Sequence, residues 1–361
     1  MTYQLLAAPL SLYSGKARGF LRWKNIPYRE VLSSRSVYES EILPRVGMPI
    51  IPVMITPDDQ TVQDTTDIID YIEANEDGPS VYPAGPKQKL GALIFETFGD
   101  EWLLIAAMHY RWRYNKEYAW GEFGKTAFPE LAPGEQFEAG KKAAAMFMGF
   151  LPMLGITEDT MGAIESSYEK FLSLFDTHLQ THDFLFGSRP SVGDYGLLGP
   201  LYAHNYRDPA SGEIMEKLAP NVASWCRRTH APQHPLSGDF LKGDEIPQTL
   251  IPLLEMFARE QLPILLDTVQ YLQDWAKDKT SGTDVPRALG VHDFQIDGVD
   301  GTRAVIPYSL WMLQRVTDHL DSLSGDDKAT TTALLDSIGA GALTKINIPR
   351  LARKNFKLIL A

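Results

Sequence analysis

Two hydrophobic periods are mixed along the first 75 residues. The segments "YQLLAA" and "PYREVLS" read as short strands, and between them "GKARGFLRWKN" carries apolar residues at helical spacing. An irregular loop containing "YESEILPRVG" follows. Then come a strand over "IIPVMI", a turn at Pro57-Asp58-Asp59, a second short strand over "QTVQ" and a helix over "TDIIDYIEAN". The order β-α-β-loop-β-β-α predicts a small α/β domain whose first strand pair is parallel and whose last is an antiparallel hairpin. "EDGPSVYPAGP" is dense in Gly and Pro and predicts a linker.

Beyond the linker, alternation gives way to helical patterns. "KLGALIFETFGDEWLLIAAMHYRWRY" predicts one amphipathic helix or a broken pair. "MGAIESSYEKFLSLFDTHLQTH" and "VGDYGLLGPLYAHNY" predict two more, and "SVGD" at 191–194 has the form of a capping box. From about residue 234 another helix is expected over "IPQTLIPLLEMFAREQLPILLDTVQYLQDWAKD". A hairpin over "HDFQIDGVDGTRAVIP" has turn chemistry at Asp297-Gly298 and Asp300-Gly301. A helix over "YSLWMLQRVTDHLDSL" and a basic, apolar docked tail, "RLARKNFKLILA", complete the chain. These patterns divide it into residues 1–78, 87–233 and 234–361, with no internal repeat.

At 361 residues, with 44% hydrophobic and 22% charged positions, the composition is that of a soluble globular protein. The net charge of −12 argues against a nucleic-acid partner. The single cysteine, Cys226, leaves no disulfide framework and no Cys-rich zinc site, and it reads as a helix-packing residue. The histidines at 178, 182, 204, 230 and 234 lack metal-ligand spacing with acids and read as structural or exposed, so no metal is expected. No apolar stretch approaches the roughly 20 residues that span a bilayer. The opening reads as strand, loop and helix rather than as a signal peptide. A cytoplasmic location is the expectation.

Candidate chemistry gathers around Pro52, which lies inside what should be a strand although proline donates no ladder hydrogen bond. A cis Ile51–Pro52 bond resolves the conflict, because it turns the N–H and C=O of Ile51 toward solvent, where an extended peptide can pair with them; the competing reading is a trans proline on an edge strand. Twelve residues on, Asp64-Thr65 opens a helix. This is either an ordinary cap or a ligand site: the helix N-terminus suits a carboxylate, the Thr65 hydroxyl adds a donor, and Asp64 can accept from an ammonium group.

Together these residues resemble the thioredoxin-like domain of the glutathione transferases. The family's Val-Pro strand, β-turn and Glu-Ser helix start are matched here by Ile51-Pro52, "TPDDQ" and Asp64-Thr65. "SLYSGKARGFLRWKNIPYREV" resembles its first loop and helix, and "FLFGSRPSVGDYGLLGPL" the capping-box helix of its helical domain. The resemblance covers residues 1 to about 230. It implies a thioredoxin-like α/β domain followed by an all-α transferase domain, with residues 234–361 an extra C-terminal extension, and a homodimer. The implied function is that of a detoxifying transferase, with glutathione as co-substrate and a hydrophobic electrophile as the second partner. The alternative is a non-catalytic glutathione-binding or interaction module on the same fold.

On that register Ser11 takes the place of the catalytic hydroxyl of serine-type members. It is followed by Leu12 where the family has Pro, so Tyr13 and Ser14 are the fallback donors. Ala7 stands where tyrosine-type members carry Tyr, and the loop has no Cys. Ile51, Pro52, Asp64 and Thr65 are the implied glutathione contacts. Arg45 substitutes for the usual Lys or Gln at the glycine carboxylate. Tyr110 and Tyr114 are candidates for the electrophile pocket, with core packing the competing reading of an aromatic cluster at helical spacing.

Overall fold

The computed structural model describes residues 2–361. In chain order the elements are β1 (Tyr3–Ala7), α1 (Leu12–Trp23), β2 (Tyr28–Leu32), α2 (Arg35–Val37), a π-helical turn (Tyr38–Ile42), α3 (Leu43–Val46), β3 (Val53–Ile55), β4 (Thr61–Gln63) and α4 (Thr65–Asn75). Then come α5 (Pro86–Glu101), α6 (Leu104–Tyr114), α7 (Lys116–Ala127), α8 (Pro133–Gly149), α9 (Met161–Leu179), α10 (Val192–Pro200), a second π-helical turn (Leu201–Tyr206), α11 (Pro209–Leu218) and α12 (Pro220–His230). The remainder holds α13 (Ile251–Met256), a third π-helical turn (Phe257–Gln261), α14 (Leu262–Ala276), β5 (Val291–Ile296), β6 (Val299–Ala304), α15 (Tyr308–Ser322), α16 (Gly325–Ser337), β7 (Leu351–Lys354) and β8 (Lys357–Leu360). Among the described residues no helix is long and apolar enough to cross a membrane.

The chain divides into two compact units, each built from several segments. The first comprises Met1–Val81, Ala106–Phe150 and Tyr195–Gly238. Its sheet has the order β2-β1-β3-β4, with β1 and β2 parallel and β3 antiparallel to both β1 and β4. This is the α/β arrangement the alternation predicts. The central strands bury nearly everything: Leu5, Leu6, Ala7, Val53 and Met54 are at most 1% exposed, as expected where both faces are covered. The loop expected around "YESEILPRVG" is instead short helical pieces begun by Ser34, whose Oγ accepts from Val37 N at 3.4 Å.

Helices α7 and α8 of the same unit form a hairpin that periodicity alone does not reveal. They cross so closely that a Cβ on Gly140 would stand 2.1 Å from the Trp120 carbonyl, and one on Gly124 would stand 1.9 Å from that of Gln136. Only glycine fits at either position.

The second unit comprises Tyr82–Ile105, Leu151–Asp194 and Asp239–Ala361. Its core aromatics run from Phe95 and Phe98 on α5 to Phe171 on α9, Phe186 and Phe257. Residues from Asp239 on are woven into it. Both Asp244 carboxylate oxygens accept from the first turn of α5, at Lys87 N (2.8 Å) and Gln88 N (2.9 Å), and the Gln88 amide donates to the carbonyls of Leu241 and Glu245. α15 adds an Arg315–Tyr82 hydrogen bond of 2.7 Å.

The hairpin β5–β6 turns at Asp297-Gly298 as expected, with φ of 47° and 81°, the signs that a two-residue primed turn needs. Asp300-Gly301 is not a turn but part of β6; glycine is required at 301 because a Cβ would meet the Phe294 ring at 2.8 Å. The basic tail is a second hairpin, β7–β8, turned by Asn355 and Phe356 at φ of 50° and 62°.

The capping box lies at the start of α10. Asp194, fully buried, accepts from Ser191 N and Ser191 Oγ, both at 2.8 Å, and from Leu185 N at 3.1 Å. Replacing it by Ala strands these donors in the interior. We expect Asp194→Ala to lower the unfolding free energy by about 2–4 kcal/mol, read from a urea titration; a loss under about 1 kcal/mol refutes this capping role.

Candidate glutathione site

The site is assembled in the first unit, from the turn after β1, the segment before β3 and the start of α4. Ser11 is the N-cap of α1, with φ −81° and ψ 123°, and its Oγ accepts from Ser14 N at 3.2 Å. That bond uses a lone pair. The hydroxyl proton is given to no acceptor among the described residues, and Ser11 is partly exposed. Ser14, in contrast, is fully buried and its Oγ accepts from Ala8 N at 3.3 Å, which ties it to the turn. Tyr13 is partly exposed, as Ser11 is, and is engaged within the protein.

The Ile51–Pro52 bond is cis. Ile51 lies just outside β3, is partly exposed, and its N–H and C=O pair with no other described residue. Asp64 is the N-cap of α4 and accepts from Thr66 N at 2.8 Å. It does so at φ 88°, a backbone region that costs a non-glycine residue on the order of 1–3 kcal/mol and persists only where its surroundings impose it. Thr65, 3% exposed, has neither its N–H nor its hydroxyl bonded to the described chain. Ile51, Asp64 and Thr65 thus flank the hairpin β3–β4, whose pairing of Val53 with Gln63 brings the two segments side by side.

Lys16, which sequence reasoning did not select, is fully buried on α1 and donates to Thr66 Oγ1 at 3.2 Å, linking the start of α4 to the helix that Ser11 opens. Arg45 pairs with Asp59 at 2.8 Å and Glu41 at 3.4 Å and donates to Thr61 Oγ1 at 3.3 Å. Of the two candidate pocket tyrosines on α6, Tyr110 is 2% exposed and Tyr114 is 50% exposed, with ring centroids 5.8 Å apart.

Other titratable groups are occupied in the core. Burial pushes the Cys226 thiol up, so it carries no thiolate at neutral pH. Burial lowers His178 to about 4, and its ring nitrogens meet Thr249 Oγ1 and the Phe184 carbonyl. His204 is likewise held neutral by burial, with Nδ1 on the Ala107 carbonyl at 3.2 Å. No cluster of three or more His, Cys, Asp or Glu side chains suited to a metal occurs among the described residues.

Residues 5–80 match the family model of the glutathione S-transferase N-terminal domain, and residues 158–228 that of the glutathione S-transferase C-terminal domain. Both domains of the glutathione S-transferase family are thus matched in this chain, a thioredoxin-like domain followed by a helical one, and the sequence extends past both. No curated protein matches it. Among solved structures it is similar to a glutathione S-transferase from Rhodospirillum rubrum at 16% identity and a TM-score of 0.41, covering 68% of this chain and 96% of that one. It is also similar to a beta-etherase from a Sphingobium species (18%, 65% and 97% covered, TM-score 0.47). A Tau-class enzyme from mango, Mangifera indica, gives 22% identity, coverage of 69% and 94%, and a TM-score of 0.40.

The conformation of Asp64 yields a test that needs no ligand. Asp64→Gly relieves the positive φ while giving up one cap, and should leave stability within about 1 kcal/mol of wild type. Asp64→Ala keeps the strain and loses the cap, and should cost about 1–2 kcal/mol in the same denaturation measurement. Equal losses in the two variants refute the strain.

Proposed function

We propose that the chain binds glutathione and activates its thiol for attack on a hydrophobic electrophile. The observation that carries the reading is the set of polar groups left without partners among the described residues: the N–H and C=O of Ile51, the N–H and hydroxyl of Thr65, and the proton of Ser11. Unpaired backbone groups at a strand end and a helix start are matched by a tripeptide that pairs as an added strand and carries a carboxylate at its amino-acid end. In this reading the peptide backbone of glutathione pairs with Ile51. The γ-glutamyl carboxylate lies at Thr65 and the first turn of α4, with Asp64 accepting from the ammonium group. Ser11 Oγ–H then donates to the sulfur.

A free thiol is only a few per cent ionised at neutral pH. A hydroxyl donor to the thiolate, placed at the N-terminus of α1, favours the charged form, and each unit by which the thiol pKa falls corresponds to about 1.4 kcal/mol. The thiolate then attacks the electrophilic carbon of the second substrate. A new C–S bond forms as the leaving group departs with its bonding electrons. Tyr114, whose ring is half exposed, is the pocket residue carried forward. The ion pairs of Arg45 leave the glycine carboxylate of glutathione without that side chain, which supports a looser grip on that end.

Two variants divide binding from chemistry. Thr65→Ala should weaken glutathione binding about tenfold by calorimetry, the loss of one hydrogen bond to a charged group. Ser11→Ala should keep binding, raise the pKa of the bound thiol by about one unit, and cut kcat/KM for a chloro-nitroarene about 10–100-fold near neutral pH. Absence of glutathione binding by the wild-type protein at millimolar concentration refutes the reading. Binding with no turnover in the wild type favours the non-catalytic module instead.

A further inference from the structure

The turn that presents Ser11 is held from behind by two arginines. Arg111 on α6 is 3% exposed and grips the fully buried Asp208 with two parallel bonds, Nε to Oδ2 at 2.7 Å and Nη2 to Oδ1 at 2.8 Å. The same guanidinium donates through Nη1 to the carbonyl of Leu10 at 2.7 Å and through Nη2 to that of Ala203 at 2.8 Å. One position earlier in the turn, the Pro9 carbonyl accepts from Arg207 Nη1 at 2.6 Å, and Arg207 is anchored by Glu122 at 3.1 Å. Two consecutive carbonyls immediately before Ser11 are therefore each bonded by a guanidinium that a carboxylate fixes in place.

Such an arrangement is costly unless it does something that apolar packing cannot. A buried ion pair is often matched or bettered by apolar residues of equal volume, which could not donate to the Leu10 and Ala203 carbonyls. Arginine alone supplies five donors in a rigid plane, so the carboxylate fixes the fork and the fork fixes the loop. The chain around Ser11 has no strand partner to set its orientation, and a hydroxyl displaced by about 1 Å from a reacting atom can lose about a hundredfold in rate.

We propose that Arg111 with Asp208, and Arg207 with Glu122, are positioning residues for the thiol step: they touch no substrate, and by holding the Leu10 and Pro9 carbonyls they set the direction of the Ser11 hydroxyl. This rests on the reading of Ser11 given above.

The test uses the full chain and the double variant Arg111→Met/Asp208→Leu, which removes both charges together and leaves no unpaired ion in the core. Glutathione binding is measured by calorimetry, the bound thiolate by its ultraviolet absorbance as pH is varied, and turnover with the chloro-nitroarene. The expected result is a folded protein that still binds glutathione, titrates its thiol at higher pH and loses about 10–100-fold in kcat/KM. A folded double variant with the wild-type thiolate profile overturns the proposal. Should that variant not fold, Arg207→Ala, at a partly exposed side chain, takes its place: a thiolate profile moved toward higher pH supports the clamp, and an unmoved one overturns it. Ser11→Ala measured alongside separates the two levels. An unmoved profile in Ser11→Ala removes the Ser11 reading and this proposal with it. A profile moved by Ser11→Ala but not by the clamp variants removes this proposal alone.

Discussion

The rule that every backbone N–H and C=O must find a partner organises the first unit. In the turn after β1 the accounting is complete on the carbonyl side. Ala7 accepts from Ser33 N, Ala8 from Ser11 N and Arg18, Pro9 from Arg207, and Leu10 from Arg111. At Ile51 and at Thr65, in contrast, the accounting is left open among the described residues. The closed set makes a rigid support, and in the proposed reading the open set is what that support offers to a ligand. A site of this kind needs few distinctive side chains, because main-chain groups do much of the recognition.

This division explains what could be read from the sequence. Strands β1 to β4 and helices α1 and α4 follow from local periodicity and turn residues, and the conflict between Pro52 and its strand context pointed to the backbone geometry there. Turn chemistry located β5–β6 because Asp297-Gly298 is a preferred pair for a two-residue turn. The tail hairpin was not legible, since Asn355-Phe356 lacks the glycine that marks such turns, and phenylalanine at positive φ is rare. The α7–α8 crossing depends on Gly124 and Gly140 meeting across two helices, which no single-helix pattern encodes. Arg111 and Asp208 stand 97 positions apart, and nothing in the composition around either one announces the other.

Residues 234–361 were expected to form a separate segment; from Asp239 on they share one core with α5 and α9 in the second unit. Their hold on α5 is polar as well as apolar. Asp244 supplies the cap that Gly85, the N-cap residue of α5, cannot give from a side chain, and a Cβ at Gly85 would collide with the Asp244 carboxylate at 2.1 Å. The His319 ring meets the Pro86 carbonyl at 2.9 Å, at the same helix start. A helix whose first turn is satisfied by residues some 157 positions later depends on them for its local order. The extension is therefore part of what stabilises α5 rather than an appendage to it.

The strain at Asp64 and the buried charge at Arg111 have one physical explanation in common. Each is an unfavourable local choice that the surrounding fold maintains: a non-glycine residue at φ 88°, and an ion pair withdrawn from water. Stability alone favours glycine at the first and hydrocarbon at the second. Glycine at 64 would remove the carboxylate from the mouth of α4, and hydrocarbon at 111 and 208 would leave the Leu10 and Ala203 carbonyls unpaired. In both cases the favoured residue satisfies the fold and loses a polar group held at a defined place, which is what binding a zwitterionic peptide and orienting a hydroxyl both require.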